Sequence, residues 1–240
     1  TGVNLDLNPN SFTLKNLIEL NLYKFTDQIA EIYSTARKEL KVEELFKDIR
    51  EHWKSQKFQL KKHMRDTVDR GYILSSVESI KELLDEDTTQ LSGISGSRFV
   101  IPFMNDLNTW ETQLTTIGEV IDLWMEVQRS WMYLEIIFIG SEDIREQLSK
   151  QADAFDKIDE DWTKIMNETF KKRNVLEACL HDGRLTLLKS LERRLNECQK
   201  GLANYLETKR DLFPRFFFIS DDELLEILGS SNINSVQKYM

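Results

Sequence analysis

The sequence predicts an all-α protein, an elongated array of helical bundles with at most one or two short β elements near 97–101 and 215–219. The first observation is that the 240 residues include only 9 Gly and 3 Pro. So few breaking residues favour long helices over a β sandwich with many turns. The second is that apolar residues recur every three or four positions, which is the period of a helix. With 40% hydrophobic residues, the chain can bury a substantial core.

Charge and composition exclude several classes of protein. The net charge of -9 argues against a dedicated nucleic-acid binder, because neutralising phosphates requires a basic face. Two cysteines are too few for a disulfide scaffold and fit a reducing compartment. The start of the chain has no signal-peptide pattern, and no run approaches the roughly 20 apolar residues of a membrane span. We therefore expect a soluble, unsecreted protein with neither nucleic-acid nor membrane partners.

The N-terminal part of the chain reads as successive helices. Residues 12–50 carry apolar side chains at helical spacing, and a second stretch from Lys41 continues it through Trp53. A polar segment follows, Gly71 is predicted to break it, and the apolar residues from Val77 to Leu84 predict another helix.

Residues 91–103, "LSGISGSRFVIPF", form the best internal loop, because two glycines and Pro102 interrupt the helical pattern. The apolar run from Phe99 to Ile101 predicts a short strand or a plug in the core. The glycines suggest a phosphate-binding loop, but the Gly-Lys-Ser/Thr ending and a preceding apolar strand are both missing. A tight turn between two helices is the better interpretation.

The longest periodic segment, residues 105–139, predicts one long helix. Every seventh residue of one row is large and apolar: Trp110, Ile117, Trp124, Trp131 and Phe138. A second row turns polar at Gln128 and Glu135, so the apolar stripe is predicted to rotate part-way along. Such a helix changes its packing partners along its length. A plain buried core helix with three tryptophans is an equally good interpretation of any one of these residues.

Beyond this helix the sequence offers no catalytic or metal site. Gly140 ends the helix and Ser141 is a natural N-cap for the next one. The acidic residues from Asp156 to Asp161 resemble a calcium loop but lack its glycine and its terminal glutamate, so they are better interpreted as a solvated helix face. Three scattered histidines assemble neither a metal site nor a Cys/His pair. Cys198 falls on the apolar face of a predicted helix, so its thiol is predicted to be packed against other apolar side chains.

The segment 212–229, "LFPRFFFISDDELLEILG", is predicted to be a rigid joint made of Phe213, Pro214, Phe216, Phe217, Phe218, Ser220 and Glu223. Pro214 cannot continue the preceding helix. The aromatic run that follows has the bias of a short strand whose two apolar faces are both buried. Ser220 and Glu223 form a capping box for the last helix, and Gly229 closes it.

Several unusual strings resemble the linker region of dynein heavy chains. They include "FTLKNLIEL", "ARKEL", "SRFVIPFMNDLNTWETQL", "VQRSWMYLEIIFIGSEDIREQL", "FDKIDEDWTKIM" and "CQKGLANYLETKRDLFPRFFFISDDELLEILG". They occur in the order and spacing of that family, from about Phe12 to Tyr239. Their sequences resemble those of axonemal heavy chains, of inner-arm type, more than those of cytoplasmic ones. The chain departs from the family at Ser149 and Gln151, where proline and glutamate are usual.

The resemblance implies a mechanical role. In dyneins the linker is a rod of helical bundles that arches over the AAA+ ring and bends as the ring turns over ATP. If this chain is such a linker, residues 1–104 would form its N-terminal bundle and residues 105–240 its C-terminal bundle. The C-terminal bundle would start with the bridging helix 105–139. We predict a bend near Trp124, Trp131 and Gly140.

The resemblance also implies partners and a location. The partners would be the ring of the same heavy chain and, indirectly, microtubules and the dynein intermediate and light chains, in the axoneme of a cilium or flagellum. No cofactor is expected in this segment, and it should not be an enzyme by itself, because in dyneins ATP and Mg²⁺ bind in the ring, C-terminal to the linker. The alternative from another class is a free-standing helical scaffold or adaptor that binds a partner helix in a groove.

Overall fold

The computed structural model describes residues 13–19, 21–65 and 67–228, and the prediction of a mostly helical chain is confirmed. The α-helices are α1 (Leu14–Glu19), α2 (Thr26–Ser55), α3 (Glu78–Ser95), α4 (Met104–Gly140), α5 (Glu142–Gln147), α6 (Ser149–Lys171), α7 (Val175–Cys179), α8 (Arg184–Leu212) and α9 (Asp221–Leu228). Short 3-10 helices cover Leu22–Phe25, Arg98–Phe103 and Pro214–Phe218. Two strands, β1 (Leu60–Arg65) and β2 (Val68–Leu74), form an antiparallel hairpin.

The predicted positions of the short β elements are wrong. Residues 97–101 and 215–219 lie mostly in 3-10 helices, because local contacts favour tight turns there. The Ser97 hydroxyl accepts a hydrogen bond from the backbone N–H of Phe99, which starts the first turn. Pro214 occupies the first position of the 3-10 helix Pro214–Phe218, where its fixed φ is favourable and its missing N–H costs nothing.

The hairpin occupies a segment that the sequence suggested was a polar connection. Its register pairs Leu60 with Leu74 and Arg65 with Val68, with an irregularity between Lys62 and Met64. Gly71 adopts φ +91°, a conformation that side-chain-bearing residues rarely adopt, but it lies inside β2, so the predicted break at Gly71 is wrong.

One hydrophobic core runs from α2 to α9, with α4 at its centre. The predicted rotation of the α4 stripe is wrong, because Gln128 and Glu135 stay buried in line with the apolar residues before them. The neighbours of α4 nevertheless change along its length. Gly118 faces Leu84 of α3, whereas the last turns of α4 face the hairpin and α6.

The aromatic segment after α8 is not the buried plug that its composition suggested. Phe218 is 90% exposed and Phe217 is 54% exposed, while Phe216 is partly buried against the core. The rings of Phe213 and Phe216 pack edge to face, with centroids 4.8 Å apart. The chain forms a 3-10 turn that buries one side only, so the prediction of burial on both faces was wrong. Gly229, predicted to close α9, lies outside the described residues.

The two cysteines are buried and unpaired, as predicted for Cys198. Burial raises the pKa of the Cys179 thiol to about 12 and also raises that of Cys198. In the part of the chain that the structure describes, no helix is long and apolar enough to cross a membrane.

Candidate functional site

The three residues predicted to lie near a bend occupy the second half of α4. Trp124 and Trp131 are fully buried, and Gly140 is the last residue of the helix. The two tryptophans face the part of the chain that precedes α4. The ring of Phe58 meets Trp124 edge-on at 5.5 Å, and the ring of His63 meets Trp131 at 5.4 Å.

Trp131 is held on three sides. Its indole N–H donates a hydrogen bond of 3.0 Å to Asp159 Oδ1 on α6, and its ring stacks on that of Trp162 with centroids 5.4 Å apart. A buried indole normally has a partner for its N–H. The N–H of Trp124 has none among the described residues, although the guanidinium of Arg184 lies 5.2 Å from the centre of its ring.

A polar cluster fixes the hairpin to α4 and α6, and we call it the hairpin clamp: His63, Arg65, Arg70, Glu135 and Asp159. Glu135 is its centre. One carboxylate oxygen lies 2.6 Å from His63 Nε2, and the other accepts from Arg70 Nε at 2.8 Å. Arg70 also donates to Asp159 Oδ2 at 2.8 Å. The clamp therefore joins α4 to the hairpin through the buried carboxylate of Glu135, and the hairpin to α6 through Arg70.

The clamp is electrostatically balanced around Arg70. Burial alone would lower the pKa of Arg70, but the hydrogen bonds and negative charges of Glu135 and Asp159 outweigh it, so the pKa lies above its ordinary value. Arg70 stays charged. A buried carboxylate such as Glu135 is tolerated only with partners of this kind.

Arg65 caps the C-terminal end of α4. It donates to the backbone carbonyls of Glu135, at 2.7 Å, and Ile136, at 3.2 Å. Carbonyls near a helix C-terminus carry partial negative charge and favour a cation. The guanidinium lies where a Cβ of residue 140 would be, so a side chain at this position would require Arg65 to shift. Gly140 thus serves a contact with the hairpin.

Gln128 joins the hairpin to α4 at a second point. Its side-chain oxygen accepts from the backbone N–H of Leu74 at 2.8 Å, and its amide nitrogen donates to the carbonyl of Leu74 at 3.0 Å. The pair is buried, and it supplies β2 with a partner that a third strand would otherwise supply. Gln128 and Glu135, the polar residues on the buried face of α4, therefore both bind the hairpin.

The predicted joint is built around Arg210. Its guanidinium donates to the carbonyl of Phe216 at 3.3 Å, to that of Ile219 at 3.2 Å and to Asp221 at 2.6 Å. The predicted capping box is confirmed: the N–H of Ser220 donates to Glu223 at 2.9 Å, and the N–H of Glu223 donates to the Ser220 hydroxyl at 3.3 Å. These contacts fix the turn between α8 and α9.

The acidic residues of α6 form ion pairs instead of a cation site. Asp156 pairs with Arg145, Asp159 with Arg70, and Asp161 with Arg194. Within the described ranges, no group of three or more histidine, cysteine, aspartate or glutamate side chains could hold a metal ion. These ion pairs hold α6 to the hairpin, α5 and α8.

The clamp residues on the hairpin and α6 were not predicted from the sequence. Their partners lie 65 to 89 positions away in the chain, so no local spacing reveals them. One signal was present. A glutamine and a glutamate seven residues apart, continuing an otherwise apolar stripe, indicate buried polar groups that need partners.

Comparison with known proteins identifies the family of the chain. The sequence profile described as "Dynein heavy chain, N-terminal region 2" matches residues 1–240. The chain is 50% identical over its whole length to "Dynein-1-alpha heavy chain, flagellar inner arm I1 complex" of Chlamydomonas reinhardtii. It is 49% identical over 96% of its length to "Dynein axonemal heavy chain 10" of Homo sapiens, and 39% identical over 95% to "Dynein beta chain, ciliary" of Tripneustes gratilla. It spans 5% of each of these relatives.

Proposed function

Because the chain belongs to the dynein heavy chains and corresponds to their N-terminal region 2, we propose that it is the mechanical linker segment of an axonemal heavy chain. In this proposal the segment bends over the AAA+ ring of the same heavy chain and turns ATP-driven changes of the ring into movement along microtubules. The location would be the axoneme of a cilium or flagellum, as the names of its relatives suggest. The intermediate and light chains of dynein would be indirect partners.

The hairpin clamp is the observation that carries this proposal. It lies between the proposed halves 1–104 and 105–240: His63, Arg65 and Arg70 belong to the first half, and Glu135 and Asp159 to the second. A lever requires two stable arrangements of rigid bodies. When the hairpin separates from α4, water can hydrogen-bond to the freed charged groups of the clamp, whereas separated apolar faces gain no such contacts. We therefore propose that the interface opens at the clamp.

The residues predicted to lie near the bend also lie where the hairpin contacts α4. Trp124 and Trp131 present their rings to Phe58 and His63 of the first half, and Gly140 receives Arg65. We propose that Trp131 and Gly140 are the anchors against which the hairpin closes. The joint from Phe213 to Glu223, held by Arg210, would keep α9 at a fixed angle as the clamp opens.

The segment would not hydrolyse ATP by itself. ATP and Mg²⁺ would bind in the ring of the parent chain, and the segment would respond to them through contact with that ring. The family match over all 240 residues supports this proposal over the alternative of a free-standing adaptor.

The test uses a complete heavy chain with Trp131→Ala, and with Trp110→Ala as the matched control. Both residues are buried tryptophans on α4, but Trp110 lies about seven turns away from Glu135 of the clamp. The measurements are microtubule gliding velocity and ATP turnover. We expect Trp131→Ala to slow gliding more than it lowers turnover, because a loosened anchor transmits less of each ring change.

Equal loss of gliding and turnover in Trp131→Ala would contradict a specific lever role for this region. A selective loss of gliding in Trp110→Ala, of the same size as in Trp131→Ala, would also contradict it. That result would mean that any damage to the core of α4 impairs movement.

A further inference from the structure

A small cavity of about 250 Å³ lies between the C-terminal end of α6, α7 and the start of α8. Five charged side chains line it: Glu168, Lys171, Lys172, Glu177 and Arg184. Three of them are cationic and two are anionic, so the cavity has an excess of positive charge in a chain whose net charge is -9. Sites for drug-sized ligands occupy about 300 to 1,000 Å³. This cavity therefore suits one small group.

Arg184 is the feature of this cavity that most needs an explanation. Only 5% of its surface is exposed. Its Nε donates to the carbonyl of Ala178 at 3.2 Å, but its two terminal nitrogens form no hydrogen bond with a described residue. Glu168 Oε2 lies 3.6 Å from Nη2, and the Glu168 side chain is 49% exposed. Buried polar groups are generally hydrogen-bonded, so the unused donors of Arg184 point to a missing acceptor.

Arg70 provides the comparison within the same chain. It has two carboxylate partners, Glu135 and Asp159, each at 2.8 Å, and its pKa lies above the ordinary value. The pKa of Arg184 lies below the ordinary value, because burial outweighs the charge of Glu168. Arg184 is therefore a buried cation whose charge is incompletely neutralised.

The position of Arg184 in α8 adds to the positive potential of the cavity. Arg184 is the first residue of this 29-residue helix, and the N-terminus of a helix carries partial positive charge. The first turn contains no acidic residue, and Gly183 has no side chain that could cap the helix. An anion beside the guanidinium would interact favourably with both the side chain and the helix.

Lys171 and Lys172 extend the basic lining to the end of α6. Both are exposed, and neither forms an ion pair within the part of the chain that the structure describes. A carboxylate brings one charge and two oxygens, which Glu168 already offers. A phosphate group brings up to two charges and three acceptor oxygens. It can therefore accept from both terminal nitrogens of Arg184 and still pair with a lysine.

We propose that this cavity binds a dianionic phosphate group, with Arg184 as the main donor and Lys171 and Lys172 on the α6 side. The phosphate is either the free ion or a small phosphate monoester. When bound, it joins the end of α6 to the start of α8, and it competes with Glu168 for the guanidinium. This site has no part in the proposed lever, so its test involves no motility.

The experiment is a titration of the 240-residue chain with orthophosphate at constant ionic strength, followed in two-dimensional ¹H–¹⁵N NMR spectra. The signals of interest are the backbone amides of Gly183 and Arg184 and the Nε–H of Arg184. Acetate and phenyl phosphate are titrated in the same way. We expect these signals to shift saturably with orthophosphate, and acetate to bind at least about tenfold more weakly because it has fewer charge-assisted contacts.

Variants of the lining test which side chains hold the phosphate. Arg184→Gln should weaken binding by about tenfold or more, because it removes a charge-assisted hydrogen bond. Lys171→Gln with Lys172→Gln should weaken binding by about threefold or more. The matched control is Lys150→Gln with Lys157→Gln, two exposed lysines elsewhere on α6, which should leave binding unchanged. If Arg184→Gln does not fold, the two lysine pairs still decide.

Glu168→Gln gives a test by gain of affinity. The amide no longer competes as an anion for Arg184, so phosphate should bind about threefold or more tightly. Glu160→Gln, at an exposed position about two turns earlier on α6, should leave the affinity unchanged. Weaker binding in Glu168→Gln would overturn the proposal, because it would make Glu168 a partner of the ligand instead of its competitor.

The remaining outcomes also decide. Equal effects of the two lysine pairs would mean that orthophosphate binds as an adventitious ion only, and would overturn the proposal. Acetate binding as tightly as orthophosphate would overturn it too, since the cavity would then accept any small anion. Phenyl phosphate binding as tightly as orthophosphate would identify a phosphate monoester as the ligand. Binding of orthophosphate alone would identify the free ion, and either of these two results supports the site.

Discussion

Arg70 and Glu135 form an ion pair with Nε and Oε1 2.8 Å apart, although only 2% of the Glu135 side chain is exposed. The two residues are 65 positions apart in the sequence. Such a pair adds little to stability compared with a well-packed apolar pair, but losing one partner leaves the other buried and unpaired. The pair therefore specifies where the hairpin sits on α4 more than it strengthens the fold.

Glu135→Gln should lower the free energy of unfolding by about 2 to 3 kcal/mol, because the amide keeps the shape of the side chain and removes the charge that Arg70 and His63 face. The control is Glu126→Gln on the same helix, where the side chain is exposed and the change should stay within about 0.5 kcal/mol. Urea unfolding measures both. Similar small effects for the two variants would show that the pair does not hold the hairpin.

Gly140→Ala should destabilise the chain by about 0.5 to 1.5 kcal/mol, since the new methyl group displaces the guanidinium of Arg65 from the carbonyls of Glu135 and Ile136. Alanine is otherwise the better helix residue by about 1 kcal/mol. Gly93→Ala, in α3, meets no atom within 4 Å and should stabilise the chain. Thermal unfolding of both variants gives the comparison. An increase in melting temperature for Gly140→Ala would mean that Arg65 moves aside without cost.

Asp87 should make stability depend on pH. It is fully buried, with Trp53 Nε1 at 2.8 Å and His52 Nδ1 at 3.3 Å. Burial raises its pKa, although the hydrogen bonds from Trp53 and His52 oppose the rise. A carboxyl whose pKa is raised by folding adds stability below its unfolded pKa of about 3.9, and that contribution is lost as the pH rises through the folded pKa.

Asp87→Asn removes this dependence. Relative to the wild type, the variant should therefore become more stable as the pH rises from 4 to 7, because at neutral pH it avoids a buried charge. Denaturant unfolding across that range measures the difference. The exposed Asp85 provides the control, and the difference between Asp85→Asn and the wild type should stay constant. If the relative stability of Asp87→Asn fell with rising pH, folding would have to lower the pKa of Asp87 instead of raising it.

The cysteines should be unreactive while the chain is folded. Both thiols are buried, and the pKa of Cys179 is about 12 because burial disfavours the thiolate. At pH 8, a disulfide reagent should modify neither thiol on the timescale on which it modifies both in denaturant, and the slow rate should follow the unfolding equilibrium. Absorbance of the released chromophore counts the thiols. Rapid modification of one thiol in the native chain would show that its surroundings open locally.

Much of the helical framework was predictable because its signals are local. The long helix expected over 105–139 is α4, Met104–Gly140, and the hydroxyl of Ser141 accepts from the N–H of Ile144 as an N-cap. The capping box of Ser220 and Glu223 was also predicted correctly. Periodicity and caps involve residues within one or two turns, so one sequence contains all the information they need.

The hairpin and the clamp were not predictable in this way. β1 carries Lys61, Lys62 and Arg65, which have no strand bias. The hairpin is held by Glu135, which contacts β1 and β2, and by Gln128, which contacts β2, both far along the chain. The prediction of a buried strand in the aromatic segment after α8 was wrong for a related reason. Composition indicated that Phe217 and Phe218 avoid water, but which side of the turn faces the core depends on Arg210 and the direction of α9. The division at residue 104 stays a prediction.

A lever role for this segment requires the hairpin to move relative to α4 and α6 during the motor cycle. The most direct measurement is the distance between spin labels at Lys61, on β1, and Lys157, on α6, in a complete heavy chain. Both positions are exposed and lie on the two sides of the clamp. Pulsed electron paramagnetic resonance would compare the nucleotide-free motor with the motor bound to ATP and vanadate.

If the clamp opens, the distance should change by about 5 Å or more between the two states, which is the scale of a one-turn shift between packed elements. The motor bound to ATP and vanadate should show a second population of label-to-label distances, and Glu135→Gln should enlarge that population. A single, unchanged distance in every nucleotide state would contradict the account. The hairpin would then be a fixed part of the rod, and any bend would have to lie elsewhere.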